Sequence, residues 1–240
     1  MRKVAADAGF QGTLPEFEKW LKAQPGQHFS SKEEMLVYCR DIVKRIEPEL
    51  PKLFRNLPRL YYGIRAIPEE REAATATNAQ FPTTDGTRPG WVNLNTYRPE
   101  SQNRFDKEDL MLHEAVPGHM FQGAVQVQLK GLPEFRLHYF TSAYGEGWGL
   151  YAESLGPELG MYRTPETRFG GLSGERFRAV RLVVDTGLHS FGWSREQAIA
   201  YFQAHASSAS LAEVDRYIAW PGQALAYKIG HLKIVELRRR

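Results

Sequence analysis

The sequence is short of several things, and each shortage closes a class of function. It has one cysteine, Cys39, which excludes an internal disulfide and any cysteine-rich metal site. Cys39 lies in a helical pattern and reads as a small buried apolar residue. No apolar run approaches the roughly 18 residues of a membrane span. The opening residues Met1 to Asp7 have a basic start but no apolar stretch after it, so they do not read as a signal peptide. That fits a cytoplasmic protein, and equally a mature or truncated form of an exported one. Basic residues form no stripe interleaved with aromatics. Much of the formal charge of +3 sits in Arg238, Arg239 and Arg240, so nucleic-acid binding is disfavoured. There is no internal repeat and no low-complexity linker.

What is present is an ordinary globular composition, 42% apolar and 25% charged over 240 residues. That length suits one large domain or two small ones, and a compact domain of this size buries about 70–75% of its unfolded surface without needing disulfides. Helix starts are marked by Thr13 with Glu16, Ser31 with Glu34, Ser194 with Gln197 and Ser210 with Glu213, all at capping-box spacing. Met35, Tyr38, Cys39, Ile42, Val43 and Ile46 recur at helical spacing until Pro48 and Pro51 end the pattern, so the first fifty residues predict two helices. From Arg59 to about Thr96 the character changes. Leu60-Tyr61-Tyr62-Gly63-Ile64-Arg65 and Trp91-Val92-Asn93-Leu94-Asn95 read as strands, with turn chemistry from Pro82 to Gly90 between them. About three strands are expected. From Asp106, a plausible N-cap, the pattern is helical again, with Gly131 and Pro133 ending the first segment. Further helices are expected at about 136–155, 166–191, 195–206, 211–219 and 222–238. The whole reads as one domain over 1–240, helical at 1–55, a small sheet at 58–97, and a motif helix with a helical remainder at 106–240. The fold class is mainly α with a small β-sheet (α+β).

The most informative stretch is His113-Glu114-Ala115-Val116-Pro117-Gly118-His119. It resembles a zinc-binding H-E-x-x-H segment with the second histidine two residues late. Imidazoles are good zinc ligands, and a glutamate beside the first can take a proton from a metal-activated water. In a regular helix, residues i and i+4 are about 40° apart, whereas i and i+6 are about 240° apart and cannot share an ion. Shared ligation therefore needs an irregular helix. Pro117 removes an amide donor and Gly118 accepts unusual backbone angles. The expectation is a helical bulge that absorbs two residues and returns His119 to the face of His113. The plainer alternative is a helix broken by Pro-Gly with two unrelated histidines.

A third ligand is expected from Tyr144-Gly145-Glu146-Gly147-Trp148-Gly149-Leu150-Tyr151-Ala152-Glu153, which offers two carboxylates at i and i+7. Glycines at 145, 147 and 149 let another helix approach closely. Glu146 is the chosen ligand, and Glu153 the carboxylate behind it that accepts a ring N–H of a ligand histidine. The spacing alone leaves the exchange of these two roles open, as it does the reading of both as surface charges.

At this point the chain resembles the C-terminal part of the bacterial family called domain of unknown function 885, whose members look like gluzincin-type zinc metallopeptidases. The resemblance rests on the two segments above, on Arg181-Leu182-Val183-Val184-Asp185-Thr186-Gly187-Leu188-His189, and on the run from Arg216 through Trp220-Pro221-Gly222 to Tyr227 and Gly230. It implies a mainly helical zincin-like catalytic domain, a His-Glu-His-Glu site holding Zn2+, and peptidase-type hydrolysis. Many members carry a second histidine directly after the motif, where Met120 stands here, which leaves His119 as the candidate second ligand. Members are usually far longer, which makes a missing N-terminal region or a second copy a candidate partner to complete the cleft.

Beyond the metal, Tyr227 and His189 are candidates to stabilise an oxyanion. Arg216 is a candidate to grip a substrate carboxylate, with a bridge to Glu213 or Asp215 as its alternative. Asn93 and Asn95 sit on a strand that could pair with an extended substrate. Asp185 is placed with Glu153 behind the ligands, although Arg181 and Asp185 at i, i+4 also fit a simple helix ion pair. His28, His138, His205 and His231 have no supporting pattern. The functional expectation is a zinc metallopeptidase with His113, His119 and Glu146 as ligands and Glu114 as general base, acting on a peptide or small amide. A zinc amidase or esterase, and a non-catalytic metal-binding fragment, are the alternatives.

Overall fold

The computed structural model describes residues 1–59, 61–83, 85–206 and 211–240. Leu60 of the expected first strand, Thr84 of the turn, and Ser210 of the fourth capping box lie outside the described residues, as does the side chain of His138.

Helices α1 (Arg2–Asp7), α2 (Leu14–Lys22) and α3 (Lys32–Ile46) open the chain. The first of these was not expected from the sequence. Thr13 and Glu16 close a reciprocal capping box at α2. At α3, Ser31 caps the Glu34 amide, but the Glu34 carboxylate turns to the amide and hydroxyl of Ser30. Where Pro48 and Pro51 end the apolar pattern, the chain tightens into a 3-10 turn over Glu47–Lys52.

The sheet has three strands, β1 (Tyr62–Ala66), β2 (Asn78–Gln80) and β3 (Gly90–Leu94), with the short helix α4 (Glu69–Glu72) between the first two. Their spatial order is β1-β3-β2. β1 runs parallel to β3 with Ile64 beside Val92, and β2 runs antiparallel with Ala79 beside Val92. Gly90, Val92 and Leu94 point into the core, as their alternation requires.

The rest is helical: α5 (Lys107–Glu114), α6 (His119–Gln128), α7 (Glu134–His138), α8 (Ser142–Ser154), α9 (Pro165–Ser190), α10 (Arg195–His205), α11 (Leu211–Ala219) and α12 (Gln223–Arg238). Asp106 precedes α5 but does not cap it with its side chain, which instead takes Lys107 and Asn103. The helix expected at 136–155 is two helices. Tyr139 and Thr141 are extended, and α8 starts afresh at Ser142.

The main core lies between the sheet and α3, α5, α6 and α8. Met35, Ile42 and Ile46 meet Val92, Leu94, Met111, Leu112 and Met120 there. A second cluster joins α9, α10 and α11 through Val184, Phe202 and Tyr217, and a third sets Phe17 and Leu21 of α2 against Phe169. α8 and α12 pack backbone to backbone, as the glycine-rich sequence of α8 predicts. A Cβ on Gly147 would lie 2.5 Å from the Cα of Gly230. Among the described residues no helix is long and apolar enough to cross a membrane.

Candidate metal centre

α5 ends with the motif's first two residues, His113 and Glu114. The chain then leaves helical geometry at Ala115, passes a cis Val116–Pro117 peptide and Gly118, and starts α6 at His119. The expected bulged helix is therefore corrected to a break between two helices. The physical reason is the backbone at Ala115, whose ψ of −104° cannot continue the ladder. Gly118 sits so close to α5 that a Cβ there would fall 1.8 Å from the His113 carbonyl oxygen. The indole of Trp148, on α8, donates to the Pro117 carbonyl at 2.8 Å and pins the break from the far side.

The broken motif nevertheless brings the histidines together. The rings of His113 and His119 meet edge to face, 4.7 Å between centroids. Glu146 Oε2 stands 3.5 Å from His113 Nε2 and 3.4 Å from His119 Nε2. One donor atom from each of His113, His119 and Glu146 lies within 4.8 Å of the others. Ligands about 2.1 Å from a tetrahedral zinc are separated by about 3.4 Å, so both distances to Glu146 fit that ion. Glu153 faces the other edge of His113, with Oε1 2.6 Å from Nδ1. This carboxylate fixes Nδ1 as the protonated nitrogen and turns the Nε2 lone pair toward Glu146 and His119. Gly149 makes room for the ring, because a Cβ there would lie 2.6 Å from His113 Cε1.

Burial and opposite charge act against each other at this spot. Burial alone would lower the pKa of His113, but hydrogen bonds to Glu146 and Glu153 raise it well above the ordinary value. Burial would raise Glu146, but the two histidines hold it below the usual carboxylate range. The cluster therefore attracts either a proton or a metal ion, and its donor set of two imidazoles and a carboxylate suits zinc. Glu114 is buried, and burial pushes its carboxyl upward despite both histidines. Its Oε2 has no hydrogen-bond partner.

Behind His113, Glu153 is held by Arg178 at 3.2 Å. Burial and the neighbouring Glu153 raise Asp109 well above its usual range, and Asp109 in turn accepts from Tyr162 at 3.1 Å. The charged layer is thus buried, with Glu153 ion-paired to Arg178, while Glu153 Oε2 and Arg178 Nε have no hydrogen-bond partner among the described residues.

The histidines, Glu114 and Glu146 line a cleft of about 850 Å³, which Arg178, Arg181, Arg216 and Tyr227 also line. Tyr227 is where the sequence placed it, on α12. Its ring lies nearly parallel to that of His113 at 6.2 Å, and its hydroxyl is 3.4 Å from Gln223 Nε2. Arg216 also reaches the cleft, holding Gln223 at 2.6 Å with Glu213 at 3.6 Å.

Three expectations are corrected. His189 does not line the cleft, because the end of α9 turns its Nε2 to the Tyr217 carbonyl at 3.0 Å. Asn93 sits on the middle strand, flanked by Arg65 of β1 and Asn78 of β2, and its side chain bonds both of them, so it offers no free strand edge. The strand edge on the cleft belongs instead to β2, through Asn78 and Ala79. Asn95 braces the loop before β2 by donating to Glu72 and Thr75. Asp185 does not back the ligands. It accepts from the Gly222 amide and fixes the turn into α12. Nor does it pair with Arg181, which binds Glu213 and Tyr217.

Sequence reasoning missed Arg178 and Gln223. Gln223 donates to Glu146 Oε1 at 3.3 Å while accepting from Arg216, so it ties a ligand to the opposite wall. Its spacing of i, i+4 to Tyr227 was the available signal. Arg178 has no comparable signal, since only the packing of α9 on α8 brings it to Glu153.

The chain is similar to two solved structures. One, described as "the putative lipoprotein from Colwellia psychrerythraea", shares 36% identity and a TM-score of 0.94, over 99% of this chain and 42% of that one. The other, "a putative lipoprotein of unknown function from Shewanella oneidensis", shares 19% identity and a TM-score of 0.73, over 99% of this chain and 46% of that one, and shows the fold alone. The chain thus spans less than half the length of either. No curated protein matches it. The model of the family described as "Bacterial protein of unknown function (DUF885)" matches residues 1–240, and the chain belongs to that family.

Proposed function

We propose that the protein is a zinc-dependent hydrolase of the gluzincin type, with a peptide bond as its preferred target. One observation carries this reading: His113, His119 and Glu146 converge on one point beside a buried glutamate, Glu114, whose buried Oε2 has no hydrogen-bond partner among the described residues. His113, His119 and Glu146 would hold zinc. The ion, when bound, supplies Lewis acidity that brings the pKa of a water toward about 7 and polarises a carbonyl.

The protein's own groups divide the remaining work. Glu153 keeps His113 oriented and its Nδ1 protonated. Glu114 takes the proton from the attacking water and returns it to the leaving nitrogen, a role suited to a carboxyl raised by burial. Gln223 donates to the Tyr227 oxygen, which leaves the phenol hydrogen free to point into the cleft at a developing oxyanion. Arg178 adds a fixed positive charge on the same wall.

The test is a Glu114→Gln variant with metal analysis. Loss of general-base catalysis should cost about 10²–10⁴ in kcat while one zinc stays bound. Full activity in that variant would remove Glu114 from the mechanism. A screen of matched peptide, amide and ester substrates separates a peptidase from an amidase or esterase on other compounds. Stoichiometric zinc with no hydrolysis of any of them would favour the non-catalytic alternative.

A further inference from the structure

Across the cleft from the metal ligands, charge is unbalanced. Arg181 donates through Nη2 to Glu213 at 2.8 Å and through Nε to Tyr217 at 2.9 Å. Arg216 approaches the same Glu213 at 3.6 Å and gives its Nη2 to the neutral Gln223. Two guanidiniums therefore share one carboxylate. The other nearby acid on α11, Asp215, is engaged outside by Arg195. Tyr217 does not supply a second anion, because burial pushes its hydroxyl upward. Arg178 is matched by Glu153, which reaches it from α8, and a bound divalent ion would be matched by Glu114 and Glu146. Asp185, one turn after Arg181, is turned to the Gly222 amide, so Glu213 is the one carboxylate that Arg181 and Arg216 have between them among the described residues.

Each guanidinium carries five N–H donors in a planar fork suited to a carboxylate. The side chain of Arg181 is 7% exposed and that of Arg216 is 33% exposed, and both line the cleft. Their distance from the ligands is bounded. The ring of Tyr227 is 6.2 Å from that of His113, and the Arg181 guanidinium lies 4.6 Å from the centre of the Tyr227 ring. An extended peptide advances about 3.3 Å per residue. A carboxylate held on the near side of Arg181 thus ends no more than about two residues beyond a carbonyl placed at the ligand histidines.

Resting on the hydrolase reading above, we infer that Arg181 and Arg216 form a subsite for the free terminal carboxylate of the substrate, one or two residues past the bond that breaks. The protein then removes short C-terminal fragments. Water adds its hydroxyl to the acyl carbon, the C–N bond breaks, and the amine leaves with the second proton. Gln223 couples the subsite to Glu146, because it holds both Arg216 and that ligand.

The experiment compares N-acetyl-dialanine with its C-terminal amide by titration calorimetry, on metal-free and zinc-loaded 240-residue protein. The acid should bind at least about tenfold tighter in both forms, as a charge-assisted fork implies. Arg216→Gln should bring acid and amide to within about threefold with zinc content unchanged, and Arg216→Lys should keep part of the preference. Arg181→Lys provides a second, fold-conserving variant. Equal binding of acid and amide, no binding of either, or a preference that survives in Arg216→Gln overturns the subsite. Hydrolysis of benzoyl-Gly-Ala-Ala and its amide separates the two readings. Equal cleavage of both removes the subsite and leaves the hydrolase. Acid-selective binding without any cleavage removes the hydrolase and leaves the subsite.

Discussion

The two walls of the cleft are built on different principles. On the wall of the proposed metal site, the metal wall, α5, α6 and α8 bury His113, Glu114 and Glu153, and Glu153 clamps His113 at 2.6 Å. On the opposite wall, α9, α11 and α12 carry three arginines and Tyr227. Arg216 there is one-third exposed and shares its acid with Arg181. A site that must place an ion within tenths of an ångström is dry, paired and fixed from behind. A site that must receive a charged group keeps an unmatched charge and an open approach. The difference teaches that charge in this protein is paired in two ways: behind His113, Glu153 has its own cation in Arg178, whereas across the cleft Arg181 and Arg216 share the single carboxylate of Glu213.

The largest expected effect comes from breaking the metal wall at its centre. His113→Ala removes one of three ligands and the anchor of Glu153, and should abolish both zinc retention after dialysis and hydrolysis. Metal analysis with a substrate assay checks both. Next, Glu153→Gln leaves the three ligands in place but removes the anion between His113 and Arg178. Zinc affinity should fall about 10- to 100-fold, read by competition with a chelator. An unchanged affinity would mean that the backing carboxylate does not tune the ligand.

Much of the metal wall was legible in the sequence, and the reason is local. His113, Glu114 and His119 sit within seven residues, and Glu146 and Glu153 share one helix face, so spacing names the candidates, although it leaves open which glutamate is the ligand and whether the histidines meet. The arginine wall was barely legible. Arg178 and Arg181 come from the middle of a 26-residue helix, and Gln223 from the start of another, so only tertiary packing sets their partners. His189 and Asp185 misled for the same reason. Their helical positions were right, but α11 and the turn at Gly222 supply nearer partners. Asn93 misled because sequence does not tell a middle strand from an edge. Pro117 and Gly118 signalled an irregularity correctly, yet the backbone resolves it by a break rather than a bulge.

Two smaller effects sharpen the contrast. Gly147→Ala puts a methyl 2.5 Å from Gly230 Cα, where two helix backbones meet just behind the ligand Glu146. Forcing them apart should cost about 1–3 kcal/mol of stability, seen as a lower midpoint in denaturant unfolding. Zinc affinity should fall with it, since α8 carries both carboxylates. His189→Ala should do least. Its ring hydrogen bond among the described residues is to the Tyr217 carbonyl outside the cleft, so kcat/KM should stay within about twofold and stability within about 1 kcal/mol. A large loss of activity in that variant would return His189 to the site.

The central claim is that His113, His119 and Glu146 hold one zinc ion. Anomalous scattering from a crystal of the zinc-loaded protein, recorded on both sides of the zinc absorption edge, tests it most directly. The account predicts a single strong peak about 2.0–2.2 Å from His113 Nε2, His119 Nε2 and a Glu146 oxygen. A peak at any other set of side chains, or no peak at this cluster, would contradict it.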